Sequence, residues 1–321
     1  MARTARKGTA GRKPGQDRSG KDKPGKDKAP LFRRVALIGI GLIGASLAHA
    51  MRRDGALAGH IAVCARTRKS LATARRLGIA DSTCLSAARA VKGADLVVIC
   101  TPVGAFGKVA AEIADHLSPG AIVTDVGSVK QAVIRDIGPL MPDHVHFIPG
   151  HPVAGTEHSG PDSGFAALFD GRWTLLTPPE GADEAAVRKL LTLWKRVGSK
   201  VDVMEPAHHD QILAMTSHLP HLIAFSVVGT AAELAEELRP ELFRFAAGGF
   251  RDFTRIAASD PVMWRDIFLN NREAVLDLLH RFGEHLTVIQ RAIRRGEGDT
   301  LHELFSRART IRRGVIEAQQ A

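Results

Sequence analysis

The chain has 321 residues, of which 45% are hydrophobic and 24% charged, a balance that excludes a fibre, a low-complexity array or a wholly disordered chain. No uninterrupted apolar run reaches the ~18 residues of a membrane span and no signal-like stretch opens the chain, so no membrane partner is expected. Cys64, Cys84 and Cys100 are too few and too scattered for a disulfide framework or a CxxC zinc site, and they suit a reducing cytoplasm.

Formal net charge is +10. Residues 1–30 hold ten Lys/Arg against Asp17, Asp22 and Asp27, a net of +7, which leaves +3 for everything after them. This Lys/Gly/Pro-rich tail has no large apolar residue after Met1 and reads as disordered. No aromatic residue interleaves its charges, so it reads as a solvated extension and nucleic acid is not the expected partner.

From Arg33 the pattern changes. Val35–Ile38 is an apolar strand, and Gly39, Gly41 and Gly44 follow in G-x-G-x-x-G register, with Leu42 and Ile43 opening a helix that runs to about Arg53. Such glycines allow a tight turn, close approach of backbone to a pyrophosphate, and helix–strand contact, while the helix N-terminus offers free N–H groups. His60–Ala65 is the next strand. Between Gly55 and Ala80 there is no acidic residue to bind a ribose 2′-hydroxyl. Arg66, Thr67, Arg68 and Lys69 stand there instead, either meeting a 2′-phosphate or lying as surface charges at a strand end. The expected cofactor is NAD or NADP, with NADP or dual use favoured.

Further strands are expected at Asp95–Thr101, Ala121–Val126, Val145–Ile148, Trp173–Leu176 and Lys200–Met204, alternating with helices such as Lys108–His116 and Ala185–Val197. Their near-continuous apolar runs predict one mostly parallel sheet. Ligands of such sheets sit beyond the carboxyl ends of the strands, which singles out Thr101-Pro102-Val103, Gly127-Ser128-Val129-Lys130 and Gly150-His151-Pro152. The second half reads as helical: Ala207–Ser217, His221–Leu238, Glu241–Ala246, Pro261–Arg281, Gly283–Arg294 and about Thr300–Gln319. Ile267, Leu276, Leu279 and Phe282 recur at helical spacing, and so apolar a segment predicts a homodimer through this half. The fold class is thus an α/β Rossmann-type nucleotide-binding domain followed by an all-α domain. The boundaries are 1–30 for the tail, 31–205 for the NAD(P)-binding domain and 206–321 for the helical domain.

Eight of fourteen histidines lie between His144 and His221, yet none is spaced as a metal ligand set, and no metal is expected. His151, after a strand, is either a proton acceptor at the ligand edge or a turn residue bonded to its own backbone. Ser128 is either a partner of a substrate hydroxyl or nicotinamide, or a helix N-cap. The aromatic-rich loop Gly248–Trp264 carries Arg251 and Arg255, which either hold an anionic substrate or lie on the surface.

Taken together, G-I-G-L-I-G, D-V-G-S-V-K, G-H-P-V-A-G-T-E-H-S-G, S-H-L-P-H and G-G-F-R-D-F-T-R-I-A-A-S-D-P-V-M-W resemble the prephenate/arogenate dehydrogenases of tyrosine biosynthesis, from about Arg33 to Glu317. The resemblance implies oxidative decarboxylation of prephenate or arogenate, with hydride passing to NAD(P). It implies that His151 accepts the hydrogen bond of the substrate C4 hydroxyl and that Ser128 assists there. It also implies that Arg255 grips a substrate carboxylate, that His221 lines the pocket, and that Glu157 and Trp264 stand at its rim. The alternatives are another Rossmann dehydrogenase of 3-hydroxyacid type, which would rely on a lysine, and a non-catalytic NAD(P) sensor.

Overall fold

The computed structural model describes residues 29–233, 241, 244–245 and 247–317. Residues 1–28, the expected helix Glu241–Ala246 for the most part, and the ends of the helices expected to reach Leu238 and Gln319 lie outside the described residues.

Six strands form one parallel sheet: β1 (Phe32–Ile38), β2 (Ala58–Cys64), β3 (Ser82–Cys84), β4 (Leu96–Ile99), β5 (Ile122–Asp125) and β6 (His146–Phe147), in the order β3-β2-β1-β4-β5-β6. This is the doubly wound order, whose topological switch lies between β1 and β4. Register aligns the strand ends, since Ile38 pairs with both Cys64 and Ile99, and Ile99 with Asp125. The segments after β1, β2, β4 and β5 therefore share one edge.

Alternation along β1 feeds two cores. Val35 and Leu37 pack with Leu47 and Met51 of α1 (Leu42–Asp54), Leu71 of α2 (Arg68–Arg76) and Trp194 of α6 (Glu184–Arg196). Ala36 and Ile38 face α3 (Ala87–Val91), Phe106 and Ile113 of α4 (Phe106–Ile113), and Val133 of α5 (Lys130–Ile137). Strands buried on both faces in this way read as continuous apolar runs, which is why β1, β4 and β5 were legible.

The expected single sheet is two. β7 (Gly150–Pro152) runs antiparallel to β8 (Trp173–Leu176), and β9 (Lys200–Val203) pairs parallel to β8 in a separate three-stranded sheet. The chain changes sheets at Pro149-Gly150, where proline has no N–H to give to a ladder. A Cβ on Gly150 would come within 3.1 Å of the Leu176 side chain and 3.3 Å of the Asp125 carbonyl, a tight fit that glycine avoids.

In the second half, α7 (Pro206–Glu233) is one helix where two were expected. Residues Ala214–His218 form a π turn just before Pro220, a wide turn of the kind that accommodates a residue unable to donate and too bulky for the preceding carbonyl. By length and mean hydropathy (1.5) α7 could cross a membrane, although no unbroken apolar run marks it, because His, Ser and Thr punctuate the segment. The expected loop Gly248–Trp264 is instead α8 (Gly248–Thr254), a 3₁₀ turn (Arg255–Ala258) and the start of α9 (Pro261–Asn270), whose N-terminus is capped by Asp260 accepting from Val262 and Met263. The break expected near Phe282 falls at Asn271 instead, and α10 (Arg272–Arg295) runs through Gly283, followed by α11 (Gly298–Glu317). At this break the Asn271 side chain donates Nδ2 to the Asp210 carbonyl at 2.8 Å and so ties the start of α10 to α7.

Candidate active site

The glycine turn is built as a cradle. Gly39 has φ +103°, and a Cβ there would lie 2.7 Å from the Cys100 carbonyl; a Cβ on Gly44 would lie 2.5 Å from the Gly39 carbonyl. Gly41, the N-cap of α1, makes no side-chain cap, and a Cβ on it would meet nothing within 4 Å. The first turn of α1, opened by Leu42 and Ile43, holds no acidic residue, so its N–H groups and the positive end of the helix face the open space above Gly41. Thr101, at the end of β4 and followed by Pro102, has a buried Oγ1 without a hydrogen-bond partner. An open glycine, an uncapped helix start and an orphaned hydroxyl fit a dinucleotide phosphate and ribose.

At the end of β2, Arg66, Arg68 and Lys69 are exposed and without an acidic ion-pair partner among the described residues. Thr67 caps α2, its Oγ1 accepting from Ser70 N at 3.1 Å.

Beyond β5 lies a buried polar chain. Lys130, without solvent exposure, donates from Nζ to Asp125 Oδ2 at 2.5 Å and to the Gly150 carbonyl at 2.6 Å. Burial draws its pKa down and Asp125 opposes that. Asp210 of α7 accepts from Lys130 N (2.7 Å) and Gln131 N (2.9 Å), and so caps α5 from outside. Ser128 does not take the N-cap role weighed for it: the N-cap is Val129, and the Ser128 hydroxyl makes no hydrogen bond to the described residues.

His151 lies within β7, 6% exposed, not in a turn bonded to its own backbone. Its Nδ1 meets His209 Nε2 at 2.9 Å, and His209 Nδ1 meets Asp210 Oδ1 at 2.8 Å. Burial, then His209, Lys130 and His218, push the His151 pKa well below that of a free imidazole, so the ring is neutral at pH 7. Burial would raise Asp210, but the hydrogen bonds from His209, Lys130 and Gln131 outweigh it and hold the carboxyl below its usual range. A neutral histidine in that setting is chemically a proton acceptor.

His221 gives Nδ1–H to the Ser217 carbonyl at 2.8 Å and stacks on Trp264 with ring centroids 3.7 Å apart. Trp264, expected at the rim, is 5% exposed and lies beneath the imidazole as its platform. Arg255 donates to Glu157 Oε2 at 3.0 Å, and its charge also reaches His221. His218, wholly buried, lies against the Ser128 backbone and accepts from Asn271 Nδ2 at 3.0 Å; burial pushes its pKa to about 4. Sequence reasoning gave no role to His209, Asp210 and His218, nor to Lys130, although Lys130 ends a turn that it singled out. Their signal was faint: His208-His209-Asp210 begins a helix just after Glu205-Pro206, but nothing in the spacing shows that it docks on Lys130.

A doubly wound sheet with this cradle, a neutral buried histidine at the same edge and a helical second domain defines a dinucleotide-dependent dehydrogenase. Residues 47–203 match the family described as prephenate dehydrogenase, nucleotide-binding domain, and residues 205–307 match its dimerization domain. The chain belongs to the prephenate dehydrogenase family. It is 39% identical over 284 residues to a cyclohexadienyl dehydrogenase of Zymomonas mobilis, covering 88% of this chain and 96% of the relative. It is 35% identical to a prephenate dehydrogenase of Bacillus subtilis, over 88% and 76% of the two chains. The crystal structure of prephenate dehydrogenase from A. aeolicus, in complex with hydroxyphenyl propionate and NAD+, superposes with TM-score 0.81 at 35% identity, over 88% and 98% of the two chains. Synechocystis arogenate dehydrogenase gives TM-score 0.72 at 30% identity, over 87% and 98%.

Proposed function

We propose that this chain oxidatively decarboxylates prephenate, arogenate or both in tyrosine biosynthesis, yielding 4-hydroxyphenylpyruvate or tyrosine. The observation that carries the reading is His151: a neutral imidazole, anchored at Nδ1, on a strand whose Gly150 N–H meets Asp125 at the end of β5, the edge of the six-stranded sheet that also carries the glycine cradle. Its free Nε2 takes the proton of the C4 hydroxyl as the O–H pair becomes the C4=O bond and the C4–H pair leaves as hydride. The bond from the ring to its carboxylate then breaks, CO2 departs, and the pair enters the ring. The oxygen, now phenolic, recovers the proton held by His151, so none is consumed overall. Ser128, with its hydroxyl unspent, is the second partner for that oxygen.

NAD or NADP, when bound, supplies the hydride-accepting carbon. Gly39, Gly41, Leu42, Ile43 and Gly44 would hold its pyrophosphate, Thr101 and Pro102 its nicotinamide side, and Arg66, Thr67 and Arg68 its adenosine ribose. The exposed unpaired Arg66 and Arg68 and the lack of an acid there favour NADP or dual use.

Arg255 binds the side-chain carboxylate. A cation on the ring carboxylate would stabilise a charge that must vanish as CO2 forms, and so favour the ground state over the transition state. His221, on its Trp264 platform, lines the pocket beside Arg255, and Glu157 holds the guanidinium until substrate arrives. We assign 31–205 to cofactor binding and 206–321 to substrate and dimer contacts in a cytoplasmic enzyme. Leu269 (66% exposed), Ile293 (63%), Leu276 and Phe305 leave apolar faces on α9, α10 and α11 that a second copy would cover.

The test is turnover of prephenate and arogenate, each with NAD and NADP, read as cofactor reduction. Turnover of either substrate is expected, and the best pair identifies substrate and cofactor. Silence in all four with cofactor still bound would sink the reading. Light scattering at micromolar concentration is expected to give twice the chain mass.

A further inference from the structure

His151 turns Nε2 toward the substrate, and its other nitrogen is engaged within the protein. Its Nδ1 does not bond a backbone carbonyl, the usual anchor of a catalytic or metal-binding imidazole. It bonds a second buried histidine, which bonds a buried carboxylate: His151 Nδ1 to His209 Nε2 at 2.9 Å, and His209 Nδ1 to Asp210 Oδ1 at 2.8 Å.

Hydrogen placement along this chain has one consistent solution. Asp210 already accepts from the N–H groups of Lys130 and Gln131, and is held ionised, so it can only accept again. His209 must then carry its proton on Nδ1. Burial keeps His209 neutral, leaving Nε2 as a lone pair. Facing that lone pair, His151 must carry its proton on Nδ1, which leaves Nε2 bare toward the substrate. The charged and titratable groups around the pair are Lys130 on α5, Asp125 on β5, and Asp210 and His218 on α7.

We propose that His209 and Asp210 are positioning residues: through two hydrogen bonds they fix His151 in the Nδ1–H tautomer, so that Nε2 is always the acceptor, and they stabilise the imidazolium that forms when it takes the proton. This rests on the role given to His151 above. The alternative tautomer would turn an N–H toward the hydroxyl and disable the acceptor. Lys130 has a related duty. Bonded to Asp125 and the Gly150 carbonyl, it fixes the strand that carries His151, and its charge adds to burial and His209 in keeping that ring neutral between turnovers.

The experiment compares wild type, His209→Leu and His209→Gln in the full-length protein carrying 15N-labelled histidine. Leucine fills the buried site without accepting a hydrogen bond, whereas the glutamine carbonyl can still accept from His151 Nδ1. Long-range proton–nitrogen spectra of the substrate-free protein at pH 8 report the tautomer, the His151 signals being those lost in His151→Asn. Wild type and His209→Gln are expected to show a protonated Nδ1 and a bare Nε2, and His209→Leu a mixture. His209→Leu is expected to lower kcat about 10- to 100-fold, the usual range for an outer-shell partner, with substrate and cofactor KM little changed, and His209→Gln to restore most of it. Protonated Nε2 in wild type, or His209→Leu with unaltered tautomer and kcat, would overturn the proposal, as would His209→Gln being as slow as His209→Leu. If neither substrate turns over while His151 still reads as the Nδ1–H form, the reaction assigned above fails and the positioning role survives.

Discussion

Arg255 is not a free cation: its Nη1 donates to Glu157 Oε2 at 3.0 Å, so the group assigned to substrate is already engaged by a carboxylate of the same chain. Glu157 is held below its usual pKa, with the hydrogen bond to its own backbone first and Arg255 after it, and therefore competes at any pH near neutrality. Glu157→Gln is expected to lower the substrate KM about twofold to fivefold, the scale of an exposed ion pair. Arg255→Ala is expected to raise it about 10- to 100-fold, the scale of a lost charged hydrogen bond. Steady-state kinetics with saturating cofactor reads both, and an unchanged KM in Arg255→Ala would free that residue from its assignment.

His151→Asn keeps a small polar side chain but offers no nitrogen lone pair. Turnover is expected to fall about 10²- to 10⁴-fold, the contribution of a positioned acid–base group. Cofactor affinity, measured by fluorescence titration, should stay within a few-fold of wild type. Undiminished turnover would return His151 to a purely structural position.

The glycine cradle separates folding from binding. A Cβ on Gly44 would lie 2.5 Å from the Gly39 carbonyl, so Gly44→Ala forces backbone to move and should cost about 1–3 kcal/mol. A Cβ on Gly41 meets nothing, so Gly41→Ala should melt like wild type. Its methyl group, however, fills the approach to the phosphates, and loss of about 1.4 kcal/mol there is a tenfold weaker Kd. Thermal unfolding and cofactor titration of both variants test the contrast, and equal affinity in Gly41→Ala would remove that glycine from the cofactor site.

Four histidines at the site, His151, His209, His218 and His221, all have pKa values lowered chiefly by burial. The unfolded chain therefore binds protons at about pH 6.5 that the folded chain refuses, and stability falls as the pH falls. His218 alone, moving from 6.5 to about 4, contributes a loss of about 3 kcal/mol across that window. Unfolding midpoints measured from pH 7.5 to 4.5 should drop steadily, and a flat profile above pH 5 would contradict the buried neutral rings.

What the sequence revealed follows from where the information is local. β1, β4 and β5 are short apolar runs, and the Gly39–Gly44 turn has its spacing within one segment. β3, with Ser82 and Thr83 among its three residues, has no apolar pattern and is held by its pairing to β2. β7 was hidden because Gly150 and Pro152 mark turns in isolation. The gap between the helices expected at Ala207–Ser217 and His221–Leu238 contains Pro220, and the π turn that lets the helix run through it has no signature in local propensity. His209-Asp210 had no legible meaning until α7 docked on α5. His151, Ser128 and Arg255 were singled out by motif, while the hydrogen-bond partners of His151 and Arg255, His209 and Glu157, are distant from them in the chain.

That π turn has a consequence for how the pocket is inherited. Twelve positions separate His209 from His221 on one continuous helix. At about 100° per residue an unbroken α-helix would place them about 120° apart, on different faces. A wide turn that absorbs one extra residue brings them to within about 20° of each other. Loss of a single codon between Ala214 and His218 would leave a regular, well-formed helix. That helix would still set the two histidines about 20° apart, whereas the present length wound as a regular α-helix would swing His221 away from the face that carries His209, so the turn lets the helix carry one more residue without disturbing the pocket.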